Sequence, residues 1–252
     1  VNVTASKLGL AMACTHPWTG GLAWVESRGA QAHLGNAIHA LAERHVRDGA
    51  ADVDGAALEF SLQPAQVLKL RMMFQRWLQW AERHDTTTWR VEQAFAIDPV
   101  DGRARLLPSK HHRDYSALSE REIGGTADVV DVTAHGVMVA DYKSGVWVDP
   151  PQDSAQMRAL ALAVSRAYGR PDVVARIVRV MPDGVRDIEH HFDALELAVI
   201  DDELHELYRR LQMPTGPTPG QHCRFCPVRG TCAASQYRLS NQAKGVSYGH
   251  ID

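Results

Sequence analysis

Apolar residues first recur at helical spacing in Leu34, Ile38, Leu41 and Ala42, so residues 35–47 predict a helix with one partly buried face. His39 and Glu43 are four residues apart and share a side of it. A second long helix is predicted over 64–84, rich in Leu, Met, Trp and Arg, and the threonines at 86–88 break it. The pattern then takes on strand character at 89–97, 125–132 and 137–142. Residues 133–136 between the last two include Gly136 and suit a hairpin. Helical composition returns over 153–168, with Gln156, Leu160 and Ala163 recurring along it; 173–180 reads as a strand and 193–211 as a helix charged on one side.

From Pro214 the texture changes to PTGPTPGQHCRFCPVRGTC, whose prolines and glycines predict an irregular lobe. Two helices, a short mixed sheet and a following helix fit an α/β core over residues 1–213, with 214–252 as a cysteine-bound appendage packed on it. The 252 residues, 45% hydrophobic and 23% charged, have the composition of an ordinary soluble protein. Residues 1–22 hold no basic segment leading into a long apolar run, and nothing elsewhere is long enough to span a bilayer, so no membrane role and a cytoplasmic location are expected. The formal charge of -3 leaves no overall footprint for nucleic-acid binding, so steering must be local. Arg103, Arg105, Lys110, His111, His112 and Arg113, in a loop-like interval, are the candidates for phosphate contacts.

The sharpest arrangement is GGTADVVDVTAHGVMVADYKSG. Paired as a hairpin, its strands bring Asp128 towards Asp141, with Lys143 on the same side as Asp141. Two carboxylates, a backbone carbonyl and waters suit a hard divalent ion such as Mg2+, and a lysine beside them can stabilise developing negative charge. Those are the requirements of phosphodiester hydrolysis. A three-residue D-x-K pattern also occurs in solvated turns, so the context carries the argument. His39 can add a nitrogen ligand, with Glu43 holding its ring or a water. Glu92 is either an accessory contact or a surface strand residue, and Gln156 can hydrogen-bond a phosphate or the surroundings of the lysine. A zinc hydrolase is disfavoured because no H-E-x-x-H set is present.

Cys223, Cys226 and Cys232 offer three thiolates at close range, and Cys14 is the only other cysteine. One from the start and three near the end suggest either structural Zn2+ or an iron-sulfur cluster.

Together these segments resemble the RecB-like branch of the PD-(D/E)xK nuclease superfamily, especially the CRISPR-associated and AddB-type members that carry an iron-sulfur cluster. The resemblance runs from Ser6–Cys14 through His39 and Glu43, the G-x-x-D motif at Gly125–Asp128, the (D/E)-x-K motif at Asp141–Lys143 and Gln156 to the three late cysteines. It departs at Leu160, where the family's glutamine motif has a tyrosine.

The resemblance implies a restriction-endonuclease-like core. It also implies Mg2+ or Mn2+ held by His39, Asp128, Asp141 and the carbonyl of Tyr142, with Lys143 assisting the attacking water, and a [4Fe-4S] cluster on Cys14, Cys223, Cys226 and Cys232. The expected activity is cleavage of DNA, as an exonuclease on ends or single strands, in a standalone or phage-encoded protein, in the host cytoplasm in the latter case. A recombinase, helicase or CRISPR-type protein is the expected partner. The alternative is an inactive nucleic-acid-binding or assembly protein. RNA, polarity and oligomeric state are left open by the chain.

Overall fold

Local signals start and stop the helices where the apolar periodicity requires. In the computed structural model, which describes residues 3–25, 30–108, 114–145, 148–213 and 215–236, five helices precede the sheet. They are α1 (Leu8–Ala13), α2 (His16–Thr19), α3 (Ala30–Asp48), α4 (Val53–Glu59) and α5 (Pro64–Ala81). Gln63 and Gln66 cap the start of α5 reciprocally, with Pro64 in its first turn, where a missing N–H costs nothing. The strands are β1 (Trp89–Asp98), β2 (Arg103–Leu106), β3 (Ile123–Val132), β4 (Val137–Lys143), β5 (Val173–Met181) and β6 (Gly184–Phe192). Helix α6 (Ala155–Tyr168) lies between β4 and β5, and α7 (Ala194–Leu211) follows β6. Ser154 caps α6 by accepting from the Met157 N–H, and Gly169, at φ +63°, ends it in a left-handed conformation that glycine adopts without strain.

The six strands form one mixed sheet in the order β2-β1-β3-β4-β5-β6. Only β4 and β5 run parallel, and α6 is the crossover that such a pair requires. One face buries Phe95, Ala127, Val139 and Ile177 against α6, α1 and α7, through residues such as Leu160, Leu8 and Leu204. The other buries Val129, Ala140, Tyr142 and Val178 against Ile38, Leu41, Trp77 and Trp80 of α3 and α5. The α/β core with a mixed sheet and flanking helices is therefore the architecture that forms.

Three expectations change. Residues 103–106, expected in a loop-like interval, pair with β1 as an edge strand, and Lys110, His111, His112 and Arg113 lie outside the described residues. The edge strand β6 was not expected, because its residues, half-buried or exposed up to the buried Phe192, contain no apolar run. The appendage described as cysteine-bound is corrected as well. Residues 215–236 are attached by apolar contact of Val228, Cys226 and Cys232 with Leu10 and Leu22, and by a Thr15–Thr215 side-chain hydrogen bond of 2.5 Å.

The pleat changes phase in the middle of β1 and β3. In β1, Phe95 and Ile97 face the α6 side, while Trp89, also an odd position, packs on the α3–α5 side. In β3, Ala127 and Val130 face the α6 side and Val129 the other, so simple alternation fails between 127 and 130. The register, which pairs Val91 with Val129 and Gln93 with Ala127, sets Glu92 opposite Asp128 at this point. Glu92 takes a φ of +51°, one of two non-glycine residues with positive φ among those described. A bulky residue there costs on the order of 1–2 kcal/mol, which the surrounding ladder must hold in place.

Candidate metal centre

Asp128, next to Ala127 and so on the opposite face of β3, is directed towards α3, where His39 meets it: His39 Nδ1 lies 3.1 Å from Asp128 Oδ1. The other oxygen, Oδ2, accepts the Tyr142 backbone N–H at 2.6 Å, so the carboxylate stands in for a rung between β3 and β4, whose pairing ends at Val129–Ala140. Asp128 is 5% exposed and Glu92 7%. His39, Glu92 and Asp128 each offer one ligand atom within 4.8 Å of the others.

Asp141, 2% exposed, adjoins this group on β4. Lys143 Nζ lies 2.6 Å from its Oδ2, and Gln156 Nε2 donates to its Oδ1 at 2.6 Å. Gln156 Oε1 in turn accepts from Lys143 Nζ at 3.0 Å, closing a triangle across β4 and α6. The Asp141–Lys143 contact meets the distance of an ion pair, yet Oδ2 has no well-angled hydrogen bond, which leaves a buried lone pair for a further partner.

The electrostatics follow from bringing His39, Asp128 and Asp141 together out of water, beside Lys143. Burial alone would lower the His39 pKa, but the charge and hydrogen bond of Asp128, helped by Asp141, outweigh it and raise the value above the ordinary one. Burial opposes ionisation of Asp128 as well, yet His39, the Tyr142 N–H and Lys143 bring its carboxyl down to about 2. Asp141 is raised, by burial first and by the charge of Asp128, against the opposing pull of Lys143. Asp128 is thus held ionised, as a cation ligand needs to be.

His39, Asp128, Asp141, Lys143 and Gln156 are all brought together. Tyr142 contributes its N–H to Asp128, and its ring lies edge-on to His39. Glu43 does not hold His39; it pairs with Arg47 at 2.6 Å one turn on. Glu92, weighed only as an accessory contact, is the residue that sequence reasoning undervalued. Its place in a strand with Val91 and Phe95 near it was the available signal. The glycine of G-x-x-D also has a local reason: a Cβ on Gly125 would lie 2.9 Å from the Ala5 Cβ and 3.0 Å from Leu160 Cδ2, so a side chain there would press on both neighbours.

The cysteine-held cluster, whether [4Fe-4S] or zinc, is overturned. Among the described residues the group whose ligand atoms converge is His39, Glu92 and Asp128, and no cysteine belongs to such a group. A tetrahedral zinc with sulfur about 2.3 Å away would need the thiols closer than that limit. Cys14, Cys223, Cys226 and Cys232 are free thiols, and burial raises the Cys226 pKa, which favours the protonated form.

No helix among the described residues is long and apolar enough to cross a membrane. No curated protein matches the chain. Solved structures with some likeness include an alkaline exonuclease from Laribacter hongkongensis, at 12% identity and a TM-score of 0.35, covering 97% of this chain and 95% of that one. The same exonuclease in complex with dAMP matches at 14% identity and a TM-score of 0.32, covering 86% of this chain and 97% of that one. Likeness of that degree carries no argument. The model of the PD-(D/E)XK nuclease superfamily, in contrast, matches residues 3–233, which span the sheet, both helical layers and every residue of the centre, and so the chain belongs to the PD-(D/E)XK nuclease superfamily.

Proposed function

We propose that this protein is a metal-dependent nuclease that hydrolyses DNA phosphodiester bonds at the centre built from His39, Glu92, Asp128, Asp141, Lys143 and Gln156. The observation that carries the reading is the convergence of His39, Glu92 and Asp128 within 4.8 Å, with Asp141 and Lys143 adjoining. One imidazole and two carboxylates, with a buried unsatisfied oxygen on Asp141 beside them, fit Mg2+ or Mn2+. When bound, such an ion supplies positive charge to the phosphate and a water of lowered pKa.

The chain's own residues divide the remaining work. His39 and Asp128, paired with each other here, would hold the ion together with Glu92, and Asp141 and the Tyr142 carbonyl would serve as further ligands. Lys143, fixed between Asp141 and Gln156, keeps its ammonium directed at the reacting phosphate, where negative charge develops in the transition state. Gln156 acts through those two side chains as a positioning residue. The histidine on α3 and the glutamine on α6 support assignment to the RecB-like branch, and we read the activity as an exonuclease on free ends or single strands. A helicase or recombinase would supply such ends. Residues 1–213 form the catalytic core in this reading, and 215–236 belong to a lobe laid on it through Val228.

The test is cleavage of end-labelled single- and double-stranded DNA with Mg2+, Mn2+ or EDTA. Divalent-dependent shortening from one end is expected. DNA bound but uncut under every condition would favour the inactive nucleic-acid-binding protein.

A further inference from the structure

At several places on the sheet and its margins, basic side chains meet acidic ones. Arg176 of β5 pairs with Glu189 of β6 at 3.0 Å, and they are register partners. On β2, Arg105 is held by Glu122 at 2.8 Å, and Arg103 lies 3.8 Å from Asp101. Of these two arginines, expected to grip phosphates, Arg105 has its charge met within the protein, while the Arg103 side chain is exposed.

One row differs. Lys143 of β4 is the register partner of Arg179 of β5, and Arg179 is the partner of Arg186 of β6. Register partners share a face, and the two-residue period from Ile177, Ala175 and Val173 sets this one on the α6 side. Three cations therefore stand side by side across three adjacent strands, roughly 5 Å apart at the backbone, where like charges destabilise the sheet. Lys143 has Asp141, but among the described residues neither arginine has a carboxylate partner. Among the described residues Arg179 donates to the Gly145 carbonyl, at 2.9 Å, in the loop that leaves Lys143, and Arg186 is exposed on the edge strand.

We infer that Lys143, Arg179 and Arg186 form a phosphate track, along which a single nucleic-acid strand leaves the metal centre across β5 and β6. The inference rests on the nuclease reading for what happens at Lys143, and extends it to where the substrate lies. The row starts at the lysine beside the reacting phosphate, so the next phosphates along the strand meet Arg179 and then Arg186. A strand's phosphates supply the counter-charges that the sheet leaves out. Contacts of this kind read charge and spacing without base identity.

The test is fluorescence anisotropy of a fluorescein-labelled oligothymidylate of about twenty nucleotides, titrated in EDTA over a range of NaCl concentrations. In R186A the slope of log affinity against log salt should fall by about 0.7, with affinity down roughly threefold to tenfold near 0.1 M salt; R179A/R186A should lose about twice that slope. R186K should restore the slope. R83A removes the same charge from the chain just after α5 and should bind as the parent does. Unchanged affinity and slope in R186A would overturn the track, and so would an equal loss in R83A, which would make the effect one of net charge. The measurement needs no cleavage, so a parent that binds as described yet never cuts DNA would fail the hydrolytic reading and leave the track standing.

Discussion

Replacing Glu92 by glutamine separates a metal ligand from a structural strand residue. The oxygen atoms that Glu92 and Asp128 offer lie within 4.8 Å of each other. With both groups ionised, two unit charges at that distance repel by about 3.5 kcal/mol at an effective dielectric constant of about 20. A divalent ion removes that repulsion, and E92Q removes it without one. The metal-free variant is therefore expected to be at least as stable as the parent, while gaining much less from metal. A ligand present at about 100 times its Kd stabilises the parent by about 2.7 kcal/mol. If loss of one carboxylate ligand weakens binding tenfold to a hundredfold, the same Mn2+ concentration yields only about 1.4 to 0.4 kcal/mol. At roughly 3 °C per kcal/mol for a chain of this size, the Mn2+-induced rise in Tm should fall from about 8 °C to about 1–4 °C. Differential scanning calorimetry with Mn2+ against EDTA reads both quantities. An E92Q protein that keeps the parent's full Mn2+ shift would remove Glu92 from the metal centre, whatever its activity.

Lys143→Ala should reduce turnover by about 10²- to 10³-fold, far more than it weakens DNA binding, because its ammonium acts on charge that appears in the transition state; single-turnover cleavage beside anisotropy measures the split. Gly125→Ala should cost about 1–3 kcal/mol in urea unfolding, since its Cβ would press on Ala5 and Leu160, and an unchanged midpoint would mean that α6 moves freely against β3. Glu122 is held at about 2, first by its hydrogen bond from Arg105, against an ordinary value of 4.5. A depressed carboxyl contributes stability above its unfolded pKa and loses it as pH falls through the folded value, so E122Q should be less stable than the parent near neutrality. That gap should close between pH 4.5 and about 2, and a gap independent of pH would show that the ion pair is not its source.

Much of the fold follows from periodicity alone, because a helix or strand that must bury one face writes its period into the chain. The helix carrying His39, the strands carrying Asp128 and Asp141 and the helix carrying Gln156 were legible in that way. Net charge and the cysteine spacing were legible too, but neither specified a partner. Spacing says which thiols are neighbours in the chain, whereas a shared ion needs ligand atoms close to one another, and among the described residues three such atoms lie within 4.8 Å at His39, Glu92 and Asp128. Glu92 needed tertiary structure because a carboxylate in a strand reads as solvent-facing until the neighbouring strand sets it opposite Asp128 and the pleat changes phase there. The edge strand β6 was hidden for a related reason: half exposed, it has no apolar run. The row Lys143, Arg179 and Arg186 joins residues that are far apart in the chain, and only the register of β4, β5 and β6 makes them neighbours. Pairing across a sheet is a long-range choice made by burial of both faces at once, so the sequence by itself determined the central elements and the chemistry of most of the site, and the tertiary structure decided the edge strands and which charges meet.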